Sequence, residues 1–188
     1  MNEALVLLLE VNPLPGVTGR VCPRFCESAC HRAALEGAVA IRDLERFLAD
    51  HGSVAPQVPP SKVSRGEVAV IGAGPAGLSC AYHLARLGYA PTIFDAAEEP
   101  GGVLRSGIPA YRLPRAVLDR EVARVETAGV RFKLGARLGK EFSWPALAGF
   151  AAVFLATGAG QERGLDLSGM ARDSVQSGLA FLGALSRG

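Results

Sequence analysis

The sequence predicts an α/β domain built on a parallel sheet, preceded by a small all-helical domain. Three observations carry that expectation. The apolar run Val68-Ala-Val-Ile71 leads straight into Gly72-Ala-Gly74-Pro-Ala-Gly77, after which Leu78, Ala81, Leu84 and Ala85 recur at helical spacing. A second run, Thr92-Ile-Phe94, ends in the acid Asp95. Ahead of both, residues 1–55 hold short helical stretches and three cysteines, and the proline-rich residues 56–66 read as a linker.

An unbroken apolar run implies a strand buried on both faces, as in a parallel sheet. Each glycine of the G-x-G-x-x-G has a task. Gly72 permits the tight turn, Gly74 lets a pyrophosphate approach the backbone, and Gly77 lets helix pack on strand. Phosphates would sit on the free N–H groups at the start of that helix, and Asp95 is placed to accept hydrogen bonds from a ribose. Strand, glycines, helix and acid together predict a Rossmann-like, dinucleotide-holding domain over 67–188. A glycine-rich turn without ligand is the plainer alternative.

Taken in order, residues 2–10 read as a helix stopped by Asn12-Pro13-Leu14-Pro15-Gly16. With nothing of its own to pack against, it suggests a chain that begins inside a larger domain. Cys22, Cys26 and Cys30 follow at C-x3-C-x3-C spacing, which on one helix puts three thiolates on one face, although Pro23 after the first would keep the segment from being a plain helix. An iron–sulfur cluster, zinc with His31 as fourth ligand, and three structural thiols all remain open on spacing alone. Residues 38–49 predict an amphipathic helix with Ile41, Leu44, Phe47 and Leu48 as its apolar face.

Beyond Asp95, residues 98–114 form a glycine- and proline-rich loop at the carboxyl end of a strand, where ligands bind in parallel sheets. Pro114 opens a helix with Leu118, Val122 and Val125 on one face, ended by Gly129. Val130, Phe132 and Leu134 alternate as a strand. Trp144 and Phe150 read as core. Residues 151–156 read as another buried strand, running into Thr157-Gly158. A last helix spans roughly 173–186, with Val175, Leu179 and Leu182 on one face.

Composition narrows the function classes. At 49% hydrophobic and 20% charged residues the chain is globular, not disordered. A formal charge of +2 gives no case for nucleic acid or a membrane surface as partner. The longest early apolar run, Ala4 to Leu9, is too short for a signal peptide or a membrane span. Four cysteines without an export signal then point to a reducing cytoplasm. No acid–base pair or nucleophile stands out as catalytic.

Five motifs stand in one order: NPLPGVTGRVCPRFCESAC, VAIRDLERF, VAVIGAGPAGLSCAYHLARLG, EEPGGVLRSGIPAYRLP and FLATGAG. Together they resemble the family of the glutamate synthase small subunit, whose relatives include the amino-terminal part of dihydropyrimidine dehydrogenase. The resemblance implies an iron–sulfur helical domain before an FAD domain, with electrons passing from NAD(P)H through FAD to iron–sulfur centres of a partner subunit or domain. It implies FAD pyrophosphate contacts at Gly72, Gly74, Pro75, Ala76 and Gly77, and a ribose contact at Asp95. Gly102, Leu104, Arg105 and Ile108 would line the flavin side, Leu138 would lie near adenine, and Thr157 and Gly158 would cover the cofactor. Cys22, Cys26 and Cys30 would be metal ligands.

The departures from the family pattern are as informative. No second G-x-G-x-x-G appears, so NAD(P)H would be held outside this segment, and the Rossmann-like sheet is expected to be incomplete. At position 18, where many members carry a cysteine, stands Thr18. At most one cluster is therefore expected, with Glu45 or a thiolate from another chain as fourth ligand; Cys80 reads as merely buried. The reading is an FAD-dependent electron-transfer subunit. Its alternatives are a non-catalytic flavin-binding or docking module, and an ordinary NAD-binding enzyme, which the Gly101-Gly102 and Thr157-Gly158 loops disfavour.

Overall fold

A computed structural model describes residues 1–54, 65–160 and 175–187. Its centre is a four-stranded, all-parallel sheet in the order β3-β2-β1-β4, made of β1 (Glu67–Ile71), β2 (Ala90–Phe94), β3 (Arg131–Lys133) and β4 (Ala152–Leu155). The register pairs Val70 with Ile93 on one side and with Phe154 on the other. The α/β class and the parallel sheet are as the sequence predicts. Most of the 56–66 linker lies outside the described residues.

Two apolar layers flank the sheet, because side chains alternate along each strand. On one face Val70 and Ile93 meet Leu78, Ala81 and Tyr82 of α5 (Pro75–Arg86) and Leu118 and Val125 of α7 (Arg115–Thr127). On the other, Ala69, Ile71 and Phe94 pack with Leu147, and Phe142 and Phe150 close around the Phe94 ring at 4.8 and 5.9 Å. Phe150 is thus core, as expected. Trp144 is not: it sits in a 3-10 turn, Trp144–Leu147, 56% exposed, while Leu147 turns inward instead.

The amino-terminal helices α1 (Asn2–Val11) and α2 (Pro15–Val21) do not form a separate ball. Leu14 and Val17 belong to the same apolar cluster as α5 and α7. A buried carboxylate reinforces the seam. Glu121 of α7 accepts hydrogen bonds from the Gly16 and Val17 backbone N–H groups (3.0 and 3.3 Å) and from Arg124 Nη1 (2.9 Å). A Cβ on Gly16 would stand 2.9 Å from Val117 and 3.0 Å from that carboxylate, so a glycine is needed at the contact. Asp50 of α4 (Ile41–His51) ties the helices together: Arg20 of α2 reaches both its oxygens at 2.8 and 2.9 Å, and Arg120 of α7 reaches it at 3.4 Å.

Three sequence expectations are corrected, and the break expected at Pro23 is present. The cysteines do not share a helix. Pro23 supplies no N–H and Arg24 takes a left-handed φ of 63°, so the chain breaks between α2 and the single turn α3 (Phe25–Ser28). The α4 stripe does not face inward, since Leu44 is 54% and Phe47 52% exposed. Polar and small groups set the packed side of α4 instead: Asp50 on Arg20, Glu45 on Thr18, Ala49 buried, and Gly19 against the Arg46 backbone. β4 is not buried either. Among the described residues it pairs with β1 alone, and Leu155 is 57% exposed. The last helix, α8, spans Gly178–Arg187; Val175 precedes it and is exposed, and Asp173 lies outside the described residues. Among the described residues no helix is long and apolar enough to cross a membrane.

Candidate functional site

The site grows from the β1–α5 turn. Gly72 adopts φ 114°, closed to most side chains, and a Cβ there would lie 2.1 Å from Ala156 O. At Gly77 a Cβ would fall 1.8 Å from Gly72 O, so the helix packs on the strand through bare backbone. Gly74 differs: a Cβ there meets nothing within 4 Å and would project into open space. That space is a cleft of about 1240 Å³, lined among others by Gly72, Gly74, Pro75 and Ala76 on one wall and Thr157 and Gly158 on the other.

Asp95 stands where β2 enters the cleft. Its Oδ2 accepts from the Ala73 N–H at 2.5 Å and its Oδ1 from the Ala97 N–H at 2.8 Å. Both bonds come from backbone, so the carboxylate is held in one orientation with lone pairs to spare. The 98–114 loop then folds onto the glycine turn. The Gly101 N–H donates to Ala73 O at 2.8 Å, and a Cβ on Gly102 would stand 2.9 Å from Gly74 Cα. With φ 52° at Gly102, the loop reaches this contact only as glycine.

Of the residues that the resemblance implies for a dinucleotide, eight line this cleft: Gly72, Gly74, Pro75, Ala76, Asp95, Gly102, Thr157 and Gly158. Gly77 lies beneath it as the helix–strand contact. Leu104 of the single turn α6 (Val103–Ser106) is buried in the core, and Ile108 packs against the same cluster. Arg105 turns away to Asp119 and the Pro100 carbonyl. Leu138 makes an isolated bridge to Phe142 under Phe94, while its neighbour Arg137 reaches the cleft. Sequence reasoning missed Arg137, Val103 and Ser106, and also α8, whose Leu179, Ala180 and Gly183 form part of the lining. No local motif marks α8; only its pairing with α6 brings it there.

The cysteines present a different picture. Cys26 is exposed and Cys22 and Cys30 half-exposed, all as free thiols. Hydrogen bonding to the backbone of Val39, then of Arg32, holds the Cys30 thiol below its ordinary pKa. Cys80, inside α5, moves the other way because burial disfavours the thiolate. Glu45 is engaged by the Thr18 hydroxyl at 3.0 Å.

Comparison with known proteins places this geometry. Residues 1–55 match a family described as dihydropyrimidine dehydrogenase domain II, 4Fe-4S cluster, and residues 70–147 match an NAD(P)-binding Rossmann-like domain. The glutamate synthase [NADPH] small chain of Bacillus subtilis is 35% identical over 186 residues, which is 96% of this chain and 38% of that one. The chain is a relative of the glutamate synthase small subunits. The beta subunit of an NADPH-Fe(3+) oxidoreductase from Geobacter sulfurreducens is 40% identical over 174 residues, 89% of this chain and 26% of its own length. The chain therefore spans between a quarter and two fifths of these relatives. Among solved structures, Mycobacterium tuberculosis FprA in complex with NADPH shares the fold, with TM-score 0.55 and 22% identity over 63% of this chain and 28% of that one.

The iron–sulfur part of that kinship meets an open ligand set. No group of three or more His, Cys, Asp or Glu side chains able to hold a metal ion occurs among the described residues. The three thiols sit on separate local elements, divided by the Pro23–Arg24 break.

Proposed function

We propose that the cleft holds FAD, and that the chain is the flavin-binding portion of an NAD(P)H-dependent electron-transfer oxidoreductase subunit of the glutamate synthase small-subunit type. The observation that carries this is the Gly101-Gly102 loop laid against Gly74, opposite Thr157-Gly158, at the carboxyl edge of the parallel strands. An NAD-binding fold needs the glycine turn and the acid but neither of these two loops.

The residues fit the cofactor in a specific way. The Gly74 backbone faces the cleft with no side chain in front of it, so a pyrophosphate can lie on the N–H groups that open α5. Asp95, oriented by Ala73 and Ala97, accepts from ribose hydroxyls. Ala156 and Gly158 offer backbone, and Leu155 and Leu179 supply apolar surface that keeps water from the cofactor's faces. Pro75, Ala76, Gly77, Gly72, Gly102 and Thr157 shape the walls; Leu104, Arg105, Ile108 and Leu138 support them from behind. A bound flavin supplies hydride acceptance from NAD(P)H and electron release one at a time, and the protein orients it. No residue of this chain is assigned acid–base or nucleophilic catalysis.

The electron acceptor is a redox partner, subunit or domain, and NAD(P)H binds outside residues 1–188. Residues 1–55, 56–66 and 67–188 are the working units of this reading, in a reducing cytoplasm that suits four free thiols. Cys22, Cys26 and Cys30 are the candidate metal ligands of an open site, and iron and sulfide analysis after anaerobic reconstitution tests it. At most one cluster per chain is expected, and two would break the ligand count.

A second reading has its own support. The exposed β4 residues and the open thiol set favour a docking module that holds flavin without turnover. Equilibrium dialysis against FAD and NAD decides the first point. FAD is expected to bind more tightly; tighter NAD binding would sink the flavin assignment. A flavin-loaded chain that NAD(P)H leaves oxidised even beside a competent partner would favour the docking module.

A further inference from the structure

A second cleft, of about 340 Å³, opens between α2, α4 and the turn before α7. Gly19, Arg20, Arg42, Arg46, Tyr111, Arg112 and Pro114 line it, and none of them lines the dinucleotide cleft. Four arginines thus line one small volume, and no acidic residue is among its lining residues. We propose that this cleft is a binding site for the phosphate group of a small phosphorylated molecule.

The hydrogen-bond inventory separates the arginines that hold the fold from those that are free to bind. Arg20 is spent: its Nη1 donates to Gly16 O and its Nη2 to Asp50. Arg42 places Nε and Nη2 on a single oxygen of Asp43, leaving Nη1 without a partner among the described residues. Arg46 approaches Asp50 only at 3.6 Å, beyond a hydrogen bond. The Arg112 guanidinium has no ion pair or hydrogen bond among the described residues. Two carboxylates, Asp43 and Asp50, serve Arg20, Arg42 and Arg46 from behind, and they are shared with Arg24 and Arg120 respectively. The cleft keeps an excess of positive charge.

Arginine, not lysine, supplies all of that charge, and its planar fork matches two oxygens of a phosphate at once. The frame is stiff. A Cβ on Gly19 would stand 2.7 Å from the Arg46 backbone, so α2 and α4 touch directly, and the Arg20–Asp50 pair pins them. The volume falls within the range of small-molecule pockets and exceeds what one phosphate group fills. Tyr111, 89% exposed on the rim, presents a bare ring on which a base can stack, so a nucleotide is the preferred carrier over inorganic phosphate.

Calorimetric titration of the FAD-saturated chain tests this, using adenosine monophosphate, inorganic phosphate and a hexaglutamate peptide in turn. Adenosine monophosphate should bind, and Arg42→Gln with Arg112→Gln should weaken it at least about tenfold while FAD retention is unchanged. Arg112→Gln alone, at a guanidinium with no structural partner, should show part of that loss in a chain that folds normally. Because FAD already fills the dinucleotide cleft in this chain, adenosine monophosphate bound with FAD still in place separates this cleft from the other. Equal affinity for inorganic phosphate would support the site and make free phosphate its ligand. The proposal is overturned by the absence of binding of either phosphate up to about 10 mM. It is overturned equally by binding that survives the double substitution, or by a preference for the acidic peptide.

Discussion

The glycine turn and the cysteine segment are built by opposite rules. Around Gly72–Gly77 every defining contact uses the backbone of the turn: strand to helix, loop to turn, and the Asp95 carboxylate to an amide. Around Cys22–Cys30 the chain makes short turns, and the thiols and the outer face of α4 stay open to solvent. A cleft made of backbone is formed as soon as the sheet is formed. A thiol site is finished only when its ligand count is complete, and here the count stops at three. The glycine turn is therefore the part of the molecule most sensitive to a single added atom, and the cysteine segment the least.

Gly77→Val and Gly74→Val break this comparison most directly. At Gly77 the added atoms meet Gly72 O, and α5 must leave β1; a stability loss of about 4 kcal/mol or more in urea unfolding is expected. At Gly74 the side chain enters the cleft, so stability should fall by only about 1 kcal/mol while dinucleotide retention is lost. If both variants lose stability equally, Gly74 is part of the packed turn and not of an open cleft wall.

The seam comes next in size. Glu121→Gln keeps the shape but turns an amide N–H toward one of the backbone donors at Gly16 and Val17, which should cost about 2 kcal/mol. Burial holds the Glu121 carboxyl above its ordinary pKa, against the pull of Arg124 and the two amides. A group raised in the folded state contributes its full stability below the unfolded value, 4.5, and loses it as pH rises through the folded one. Wild type measured against Glu121→Gln should therefore gain relative stability as pH is lowered from 7 toward 4.5. A relative loss over that window would show that the hydrogen bonds outweigh desolvation.

Smallest of all should be Leu44→Ser with Phe47→Ser on the outer face of α4. Both side chains are more than half exposed, so the change in stability of the isolated chain should stay within about 0.5 kcal/mol. A loss several times larger would mean that this face is covered in solution.

The same contrast explains what the sequence reveals. β1, α5, β2 and α7 are legible because local pattern and tertiary role agree: buried strand, glycine turn, apolar helix face. The cleft's glycines and Asp95 follow from spacing along one stretch of chain. The misreadings fall where an apolar residue has no partner to bury it. Leu44, Phe47 and Trp144 look like core by composition, yet Asp50, Glu45 and Leu147 take the packed positions. Arg137 and α8 enter the cleft through contacts distant in sequence, which no local spacing encodes.

β4 has a practical consequence for anyone handling the chain by itself. Residues 151–156, Ala-Ala-Val-Phe-Leu-Ala, carry no charge and no proline, and among the described residues one row of the β4 backbone donors and acceptors has no strand beside it. Such a stretch is a template for stacking copies of the same chain into growing ribbons. Solubility should then depend on concentration more steeply than on salt. A lysine in place of Phe154 should extend shelf life without touching the glycine turn, because it changes how molecules meet rather than how one molecule folds.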